Sequence, residues 1–278
     1  MSFWNAILFG IVQGFTEFFP VSSSAHLSEM FNLFGITASG YNVKLFSVFL
    51  HIGTILAALG AYWKDFGEIF FQVFDYIAAS QSSLPDTRKS YSGVRLLIMM
   101  FFSCLPLAML LPFNSSINTL YSSNLFIGIM LVLSGVIVFI AGQLKDGRKN
   151  EGTMDISDAI IIGICQCAAA IPGISRTGVL LTAGIAVGLK SEFALKFAVM
   201  ISVPLMFVAN IFHFVDLVSM GIELSAVPLC LLGMAVAAVS GFFAIKVLRS
   251  LIKDKKYHYF SYYSWVAGVI FIILTMIF

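Results

Sequence analysis

A glutamine and a glutamate lie near the start of this 278-residue chain, in a stretch that otherwise carries no charge. Gln13 and Glu17 are four residues apart, so they share one face of a helix. Placing an ionisable group at membrane depth costs about 2.5–3.5 kcal/mol on insertion scales, and such groups usually have a function. Glu17 is therefore a candidate functional carboxylate. The alternative is that Glu17 reaches interfacial water at the end of a helix.

A proline, three serines and a histidine follow this pair. Pro20 interrupts a helix, and Ser22, Ser23 and Ser24 are typical of the start of a new one, whose free N–H groups bind anions. If the new helix begins near Ser22, then Ser23 and His26 share a face. His26 would then be placed to take a proton from Ser23 or to give one to a leaving oxygen. Taken singly, a serine run is more often a cap and a histidine more often structural.

A second break in the middle of the chain has a basic residue instead. Pro172-Gly173 favours a turn, and Ser175 or Thr177 can cap the helix that follows. Arg176 offers a planar fork of donors that suits phosphate oxygens. The alternative is that Arg176 only pairs with Glu17 to hold the two regions together, which would still place both residues in one site.

The two breaks together predict an anion-binding site in the membrane. An arginine and two helix N-termini favour a phosphate group. A neighbouring carboxylate would repel a bare phosphate unless the carboxylate binds a metal or is protonated. A site within the membrane further implies a ligand with a lipid tail.

The composition indicates which class of protein carries this site. The chain is 59% hydrophobic and 11% charged, with a mean hydropathy of +0.97, whereas soluble domains have about 25% charged residues. We therefore expect an all-α polytopic membrane protein. The net charge of +2 resides in short loops, so no nucleic-acid partner is expected. The four cysteines lie in apolar runs and are interpreted as packing thiols, not as a disulfide or a metal site.

A repeated segment indicates an internal duplication. The sequence A-I-L-F-G-I-V-Q at Ala6–Gln13 is largely repeated as A-I-I-I-G-I-C-Q at Ala159–Gln166. Each copy begins an apolar stretch that is too short to span a bilayer and is then broken by proline. In lipid, a broken helix is tolerated only where its backbone is buried or lines a wet cavity. We therefore expect a re-entrant helix hairpin in each half of a single membrane domain, with repeat 1 at about 1–143 and repeat 2 at about 155–278.

Each hairpin is followed by three apolar runs long enough to cross a bilayer, which takes roughly 20 residues. The six predicted spans are Leu45–Trp63, Val94–Leu111, Asn124–Gln143, Phe193–Phe214, Ala226–Val247 and Phe260–Phe278. Because three crossings are an odd number, the second repeat must be inverted relative to the first.

The basic residues provide an independent prediction of orientation. Fourteen of the 16 lysines and arginines lie in the segments 64–95, 144–156, 190–196 and 246–258, and none lies in 112–122 or 215–225. Basic loops are retained in the cytoplasm. We therefore expect both termini on the outer side and a site that faces outward.

At this point the residues resemble a known family, the bacterial undecaprenyl-diphosphate phosphatases of the bacitracin-resistance type. The segment E-F-F-P-V-S-S-S-A-H, Glu17–His26, is similar to the family's E-F-L-P-V-S-S-T-G-H. Gln13 with Glu17 matches its (E/Q)-x-x-x-E motif, and P-G-I-S-R-T at Pro172–Thr177 resembles P-G-x-S-R-S. His51–Thr54 resembles an H-L-G-T segment, and Ile201–Pro204 a segment containing S-I-P. The resemblance runs from about residue 4 to the end.

The resemblance implies a fold of two inverted repeats, and hydrolysis of undecaprenyl diphosphate at the outer face of the plasma membrane. It implies that Glu17, with Gln13, holds a divalent cation (Mg²⁺ or Ca²⁺) or the diphosphate. Ser23 and His26 would be the nucleophile and its proton-transfer partner, and Arg176 a catalytic phosphate ligand. Further substrate-binding residues are then Ser22, Ser24, His51, Gly173, Ser175 and Thr177.

The chain departs from the family pattern at three positions. Thr177 replaces the second serine of P-G-x-S-R-S-x-x-T, and Leu180 replaces its final threonine. Thr182 lies two residues further on and could not take that role without a shift of the helix. Gln13 replaces the glutamate of many members, which leaves one acidic group. One carboxylate can still hold Mg²⁺.

A transporter or flippase of a polyprenyl phosphate is the rival hypothesis, since inverted repeats with broken helices are common in secondary transporters. A purely structural subunit would leave the charged residues unexplained. The expected partners are a polyprenyl diphosphate lipid and membrane lipids, and a homodimer is left open.

Overall fold

The described part of the chain is helical throughout. The computed structural model describes residues 2–36, 41–80, 91–113, 117, 119–121, 123–220 and 224–277. Besides helices, these residues form one isolated bridge, between Lys149 and Leu189. This confirms the expected all-α membrane protein at the level of secondary structure.

Eleven α-helices are described, and five of them are long and apolar enough to cross a membrane. In chain order they are α1 (Phe3–Phe18), α2 (Ser23–Leu33), α3 (Tyr41–Ala61), α4 (Trp63–Ser80), α5 (Ser92–Ala108), α6 (Asn124–Gln143), α7 (Ile156–Gln166), α8 (Arg176–Ala186), α9 (Ser191–Met220), α10 (Val227–Lys253) and α11 (Tyr259–Ile277). The candidate spans are in α3, α6, α9, α10 and α11, each of which overlaps a predicted span.

One of the six predicted spans, Val94–Leu111, is not confirmed as a membrane span. It corresponds to α5, an apolar helix of 17 residues, which is shorter than the 18 residues of a candidate span. Pro106 lies in its last turn, and a proline lacks the N–H that would continue the helix. The basic segment 64–95 was predicted to be a loop, but its first half forms the helix α4. Phe70, Phe71 and Phe74 are exposed on this helix.

Both predicted helix breaks are present. The chain leaves the helix between α1 and α2, where Ser22 has a φ of 65° and accepts a hydrogen bond from the N–H of Ala25 as the cap of α2. Between α7 and α8 a short 3₁₀ helix, Cys167–Ala170, precedes the Pro172-Gly173 turn. Gly173 has a φ of 95°, a conformation that favours glycine. Each break joins two helices that pack against each other.

Small residues allow the long helices to approach one another closely. α1 packs on α10, and a Cβ at Gly14 would overlap with Ser240 and Gly241. α6 packs on α11 in the same way, with Gly128 against Gly268. Such contacts are typical of helices in membranes, where close backbone packing replaces the hydrophobic effect.

Ion pairs connect the helix ends on the side that the basic segments predict to be cytoplasmic. Lys196 of α9 pairs with Asp65 of α4 and, at 2.9 Å, with Glu151. Asp146 accepts hydrogen bonds from the N–H and the hydroxyl of Ser191, at 2.7 and 2.6 Å, and so caps α9. Burial raises the pKa of Asp146, but these hydrogen bonds outweigh it and hold the pKa below its usual value.

Candidate active site

The two helix breaks meet each other, although about 150 residues separate them in sequence. The Thr177 hydroxyl donates to the backbone carbonyl of Glu17 at 3.1 Å. The backbone N–H of Gly173 donates to the Ser24 hydroxyl at 3.3 Å. Each break therefore contributes one side-chain hydroxyl that hydrogen-bonds to the backbone of the other break. The N-termini of α2 and α8 lie together at this meeting point, which we call the junction.

Glu17 is the polar centre of this junction. Its carboxylate accepts hydrogen bonds from Ser23 Oγ at 2.7 Å and from Gln13 Nε2 at 3.1 Å. Arg176 Nη1 lies 3.7 Å from Glu17 Oε1. The Glu17 side chain is only 7% exposed, so these contacts act in a medium with little water. Four of the predicted site residues thus lie together.

Two polar atoms at the junction have no hydrogen-bond partner in the described part of the chain. They are Arg176 Nη1, a donor, and Gln13 Oε1, an acceptor, and both atoms are buried. Leaving a buried polar atom unpaired costs about 1–3 kcal/mol. These two atoms therefore indicate a binding site. Acceptor oxygens of a ligand would stabilise the Arg176 donor, and a positive charge would stabilise the Gln13 acceptor.

The serines support the helix N-termini. Ser175 caps α8 by accepting from the N–H of Gly178 at 3.1 Å, and its own N–H donates to Ser134 of α6 at 3.0 Å. Ser22 caps α2, and its hydroxyl lies 3.1 Å from that of Ser24. These contacts fix the backbone whose N–H groups form the predicted anion site.

His26 does not contact Ser23, although the spacing of the two residues on a helix predicts that they share a face. Its Nδ1 lies 2.8 Å from the carbonyl oxygen of Ser22, and its Nε2 lies 2.7 Å from the hydroxyl of Tyr263 on α11. Ser23 instead donates to Glu17. The reason is geometric, because the break turns the Ser23 side chain back towards α1, while the His26 ring is directed at α11.

Two further polar residues lie near the Glu17 carboxylate. His51 on α3 interacts electrostatically with Glu17, and its Nδ1 lies 2.8 Å from the carbonyl of Ser47. Tyr121, in the segment between α5 and α6, interacts with both Glu17 and Arg176. The sequence analysis singled out His51 but missed Tyr121 and Tyr263, since nothing local distinguishes these two from the other tyrosines.

The structure also shows how the chain is built at the missing threonine of the family pattern. Leu180 is 1% exposed and belongs to the apolar core. The Thr182 hydroxyl donates to the carbonyls of Gly178 and Ile137, at 2.7 and 3.2 Å. The Thr182 hydroxyl is therefore used in hydrogen bonds to its own helix and to α6, and it does not replace the missing threonine.

The donor set around Glu17 fits a hard cation held by few protein ligands. Among the described residues, no three His, Cys, Asp or Glu side chains form a group that could hold a metal. The Gln13 and Glu17 side chains are nevertheless adjacent, with Gln13 Nε2 facing the carboxylate and Gln13 Oε1 left without a hydrogen-bond partner. Oxygen donors of this kind suit Mg²⁺ or Ca²⁺, and Mg²⁺ often uses only one or two carboxylates together with substrate phosphates and water.

Comparison with known proteins shows the family to which the chain belongs. The family model of BacA, bacitracin resistance protein, matches residues 6–270. The chain is 32% identical to an undecaprenyl-diphosphatase of Alkaliphilus metalliredigens and 32% identical to one of Halothermothrix orenii, with full coverage of both sequences in each case. It is 31% identical to an undecaprenyl-diphosphatase of Methanobrevibacter smithii, over 97% of this chain and 96% of that one. The chain therefore belongs to the bacitracin resistance protein BacA family.

Proposed function

We propose that this protein hydrolyses undecaprenyl diphosphate to undecaprenyl phosphate and inorganic phosphate, and so recycles the carrier lipid of cell-wall synthesis. Family membership supports the substrate and the reaction. The observation that carries the proposal is Arg176 Nη1, which is buried without a hydrogen-bond partner 3.7 Å from Glu17 Oε1, where two helix N-termini meet. A diphosphate headgroup supplies the acceptor oxygens that this donor lacks.

Ser23 is the nucleophile in this proposal, and Glu17 accepts its proton. The short hydrogen bond from Ser23 Oγ to the Glu17 carboxylate aligns the hydroxyl for that transfer. Ser23 Oγ attacks the terminal phosphorus, the bond from that phosphorus to the bridging oxygen breaks, and undecaprenyl phosphate leaves. Water then hydrolyses the phosphoserine and releases inorganic phosphate. His26, three residues along α2, is the proton-transfer partner on the leaving-oxygen side.

Positioning and charge stabilisation account for most of the catalysis of phosphoryl transfer. Arg176 and the backbone N–H groups at the starts of α2 and α8 bind the oxygens of the transferred phosphoryl group. Ser22, Ser24, Gly173, Ser175 and Thr177 hold these N–H groups in place. His51 contributes to binding from α3.

A divalent cation belongs to the proposal as well. Glu17 and Gln13 Oε1 would hold Mg²⁺ or Ca²⁺. When bound, the cation would neutralise part of the charge on the diphosphate.

The orientation completes the proposal. The α1–α2 and α7–α8 pairs are re-entrant hairpins of two inverted repeats, and α5 is the sixth crossing. Both termini and the opening of the site are on the outer face of the plasma membrane. Support comes from the basic segments on one side and from Tyr121, which lies in a segment on the other and interacts electrostatically with Glu17 and Arg176.

Product analysis tests this function against transport. Purified protein in detergent is incubated with undecaprenyl diphosphate, and the lipid products and free phosphate are quantified. We expect undecaprenyl phosphate and inorganic phosphate in equal amounts. Tight binding of the lipid without release of phosphate would contradict hydrolysis and would favour a transporter.

A further inference from the structure

His26 is held from both sides of its ring. On one side, Nδ1 lies 2.8 Å from the backbone oxygen of Ser22. On the other, Nε2 lies 2.7 Å from the hydroxyl of Tyr263, whose ring stacks on the imidazole with an interplanar angle of 9°. The edge of the Phe271 ring closes a third side. His26 and Tyr263 are 237 residues apart in sequence, so this contact joins α2 to α11.

These contacts define which nitrogen carries the proton. A backbone carbonyl can only accept a hydrogen bond, so Nδ1 must be the N–H of the neutral ring. Nε2 is then a lone-pair acceptor, and the hydroxyl of Tyr263 is its donor. Tyr263 thereby stabilises one tautomer of His26 and fixes the plane of the ring.

We propose that Tyr263 is a positioning residue for proton transfer by His26, an inference that rests on the proposed function. To give a proton to the leaving oxygen, His26 must first take one up from water at Nε2, and the Tyr263 hydroxyl then turns and accepts the new N–H. The hydroxyl is therefore needed in both protonation states of the ring. It matters more in the charged state, because a hydrogen bond to an ionised group is about twice as strong as one between neutral groups.

The neighbouring helices offer no other ionisable group that could take over this task in the described residues. On α2, the other ionisable side chain is Glu29, one turn beyond His26. On α11 the others are Tyr259 and Tyr262, whose rings contact His258 and Trp265. α6 contributes only apolar and uncharged residues, among them Ile127 and Leu131 in the cluster next to His26. The charged pair Glu17 and Arg176 lies on the other side of the break.

The test compares Tyr263→Phe with Tyr262→Phe. The first variant keeps the stacked ring and removes only the hydroxyl. The second is a matched control, since Tyr262 is equally exposed, lies one position earlier and packs against Trp265 instead of His26. We expect Tyr263→Phe to lower kcat for phosphate release by roughly 10- to 100-fold, as the loss of a hydrogen bond to a charged group predicts, with KM unchanged. The limb of the pH–rate profile that reports His26 should move to lower pH, because the charged ring loses more than the neutral one.

A chemical measurement keeps the inference testable without turnover. Diethylpyrocarbonate modifies neutral imidazole, and mass spectrometry distinguishes the peptide of His26 from those of the other three histidines. We expect the rate at His26 to rise at least about fivefold in Tyr263→Phe, because Nε2 loses its partner, and not in Tyr262→Phe.

The outcomes separate the inference from the proposed function. An inactive wild type whose His26 is still protected by Tyr263 would overturn the proposed function and leave the contact confirmed. Unchanged kcat, pH profile and modification rate in Tyr263→Phe would overturn the inference. A fall in activity that merely follows a fall in Tm, with an unshifted pH profile, would reduce Tyr263 to a structural residue and would also overturn it.

Discussion

At the residue scale, Ser23 either attacks the phosphorus itself or leaves the attack to a water molecule, and its hydrogen bond to Glu17 favours the first role. At 2.7 Å the carboxylate is placed to take the proton of the hydroxyl, which makes Ser23 itself the nucleophile. We therefore predict that a substrate carrying ³²P in its terminal phosphate leaves label on the protein after an acid quench. The label should be absent in Ser23→Ala and present in Ser22→Ala, since the Ser22 hydroxyl contacts Ser24 and Ala25 instead of Glu17. A wild type that turns over without retaining label would indicate direct attack by water.

Gln13 determines how much negative charge the junction carries. Its Nε2 now donates to Glu17, and its Oε1 is unpaired. Gln13→Glu removes the donor and adds a second carboxylate, which repels Glu17 when no cation is present. We predict a higher affinity for Mg²⁺ or Ca²⁺, seen as a larger rise of Tm with added cation than in the wild type. An equal or smaller rise would contradict a cation site at Gln13 and Glu17.

At the scale of helices, close packing of α1 on α10 holds the acidic half of the site. A Cβ at Gly14 would overlap with the backbone of Gly241, whereas a Cβ at Gly67 on α4 would meet nothing within 4 Å. We predict that Gly14→Ala destabilises the protein by about 1–3 kcal/mol through overpacking. Gly67→Ala, the control, should be neutral or stabilise by up to about 1 kcal/mol, because alanine favours a helix. Thermal unfolding in detergent measures both, and equal Tm values would contradict this packing.

The helices also show what could be read from sequence. Both breaks were predicted, because Pro20 and Pro172-Gly173 act on their own backbone. The five spans were predicted because length and hydropathy are local properties. The contact of Tyr263 with His26 was not predicted, since it depends on how α11 is placed beside α2. The helix α4 was taken as part of a basic loop, because its charged residues concealed its apolar face.

At the scale of the whole molecule, the basic segments predict the orientation in the membrane. Lys255 lies in the segment after α10, and Tyr121 lies in the segment between α5 and α6. With the four native cysteines replaced by serine, we predict that an impermeant maleimide added to intact cells labels Tyr121→Cys and not Lys255→Cys. Disrupting the cells should expose Lys255→Cys to the label. The reverse pattern would contradict an outward-facing site.

The central claim is that two helix breaks from distant parts of the chain form one phosphate-transfer site. Arg176 tests it most directly, because its Nη1 is buried beside Glu17 and has no hydrogen-bond partner. The measurement is kcat/KM for phosphate release from undecaprenyl diphosphate by the wild type, by Arg176→Ala and by the control Arg148→Ala, whose residue lies exposed in the segment after α6. We predict a loss of at least about 100-fold in Arg176→Ala, as for removal of a group that stabilises transition-state charge, and no change in Arg148→Ala. An Arg176→Ala protein that is folded and as active as the wild type would contradict the account.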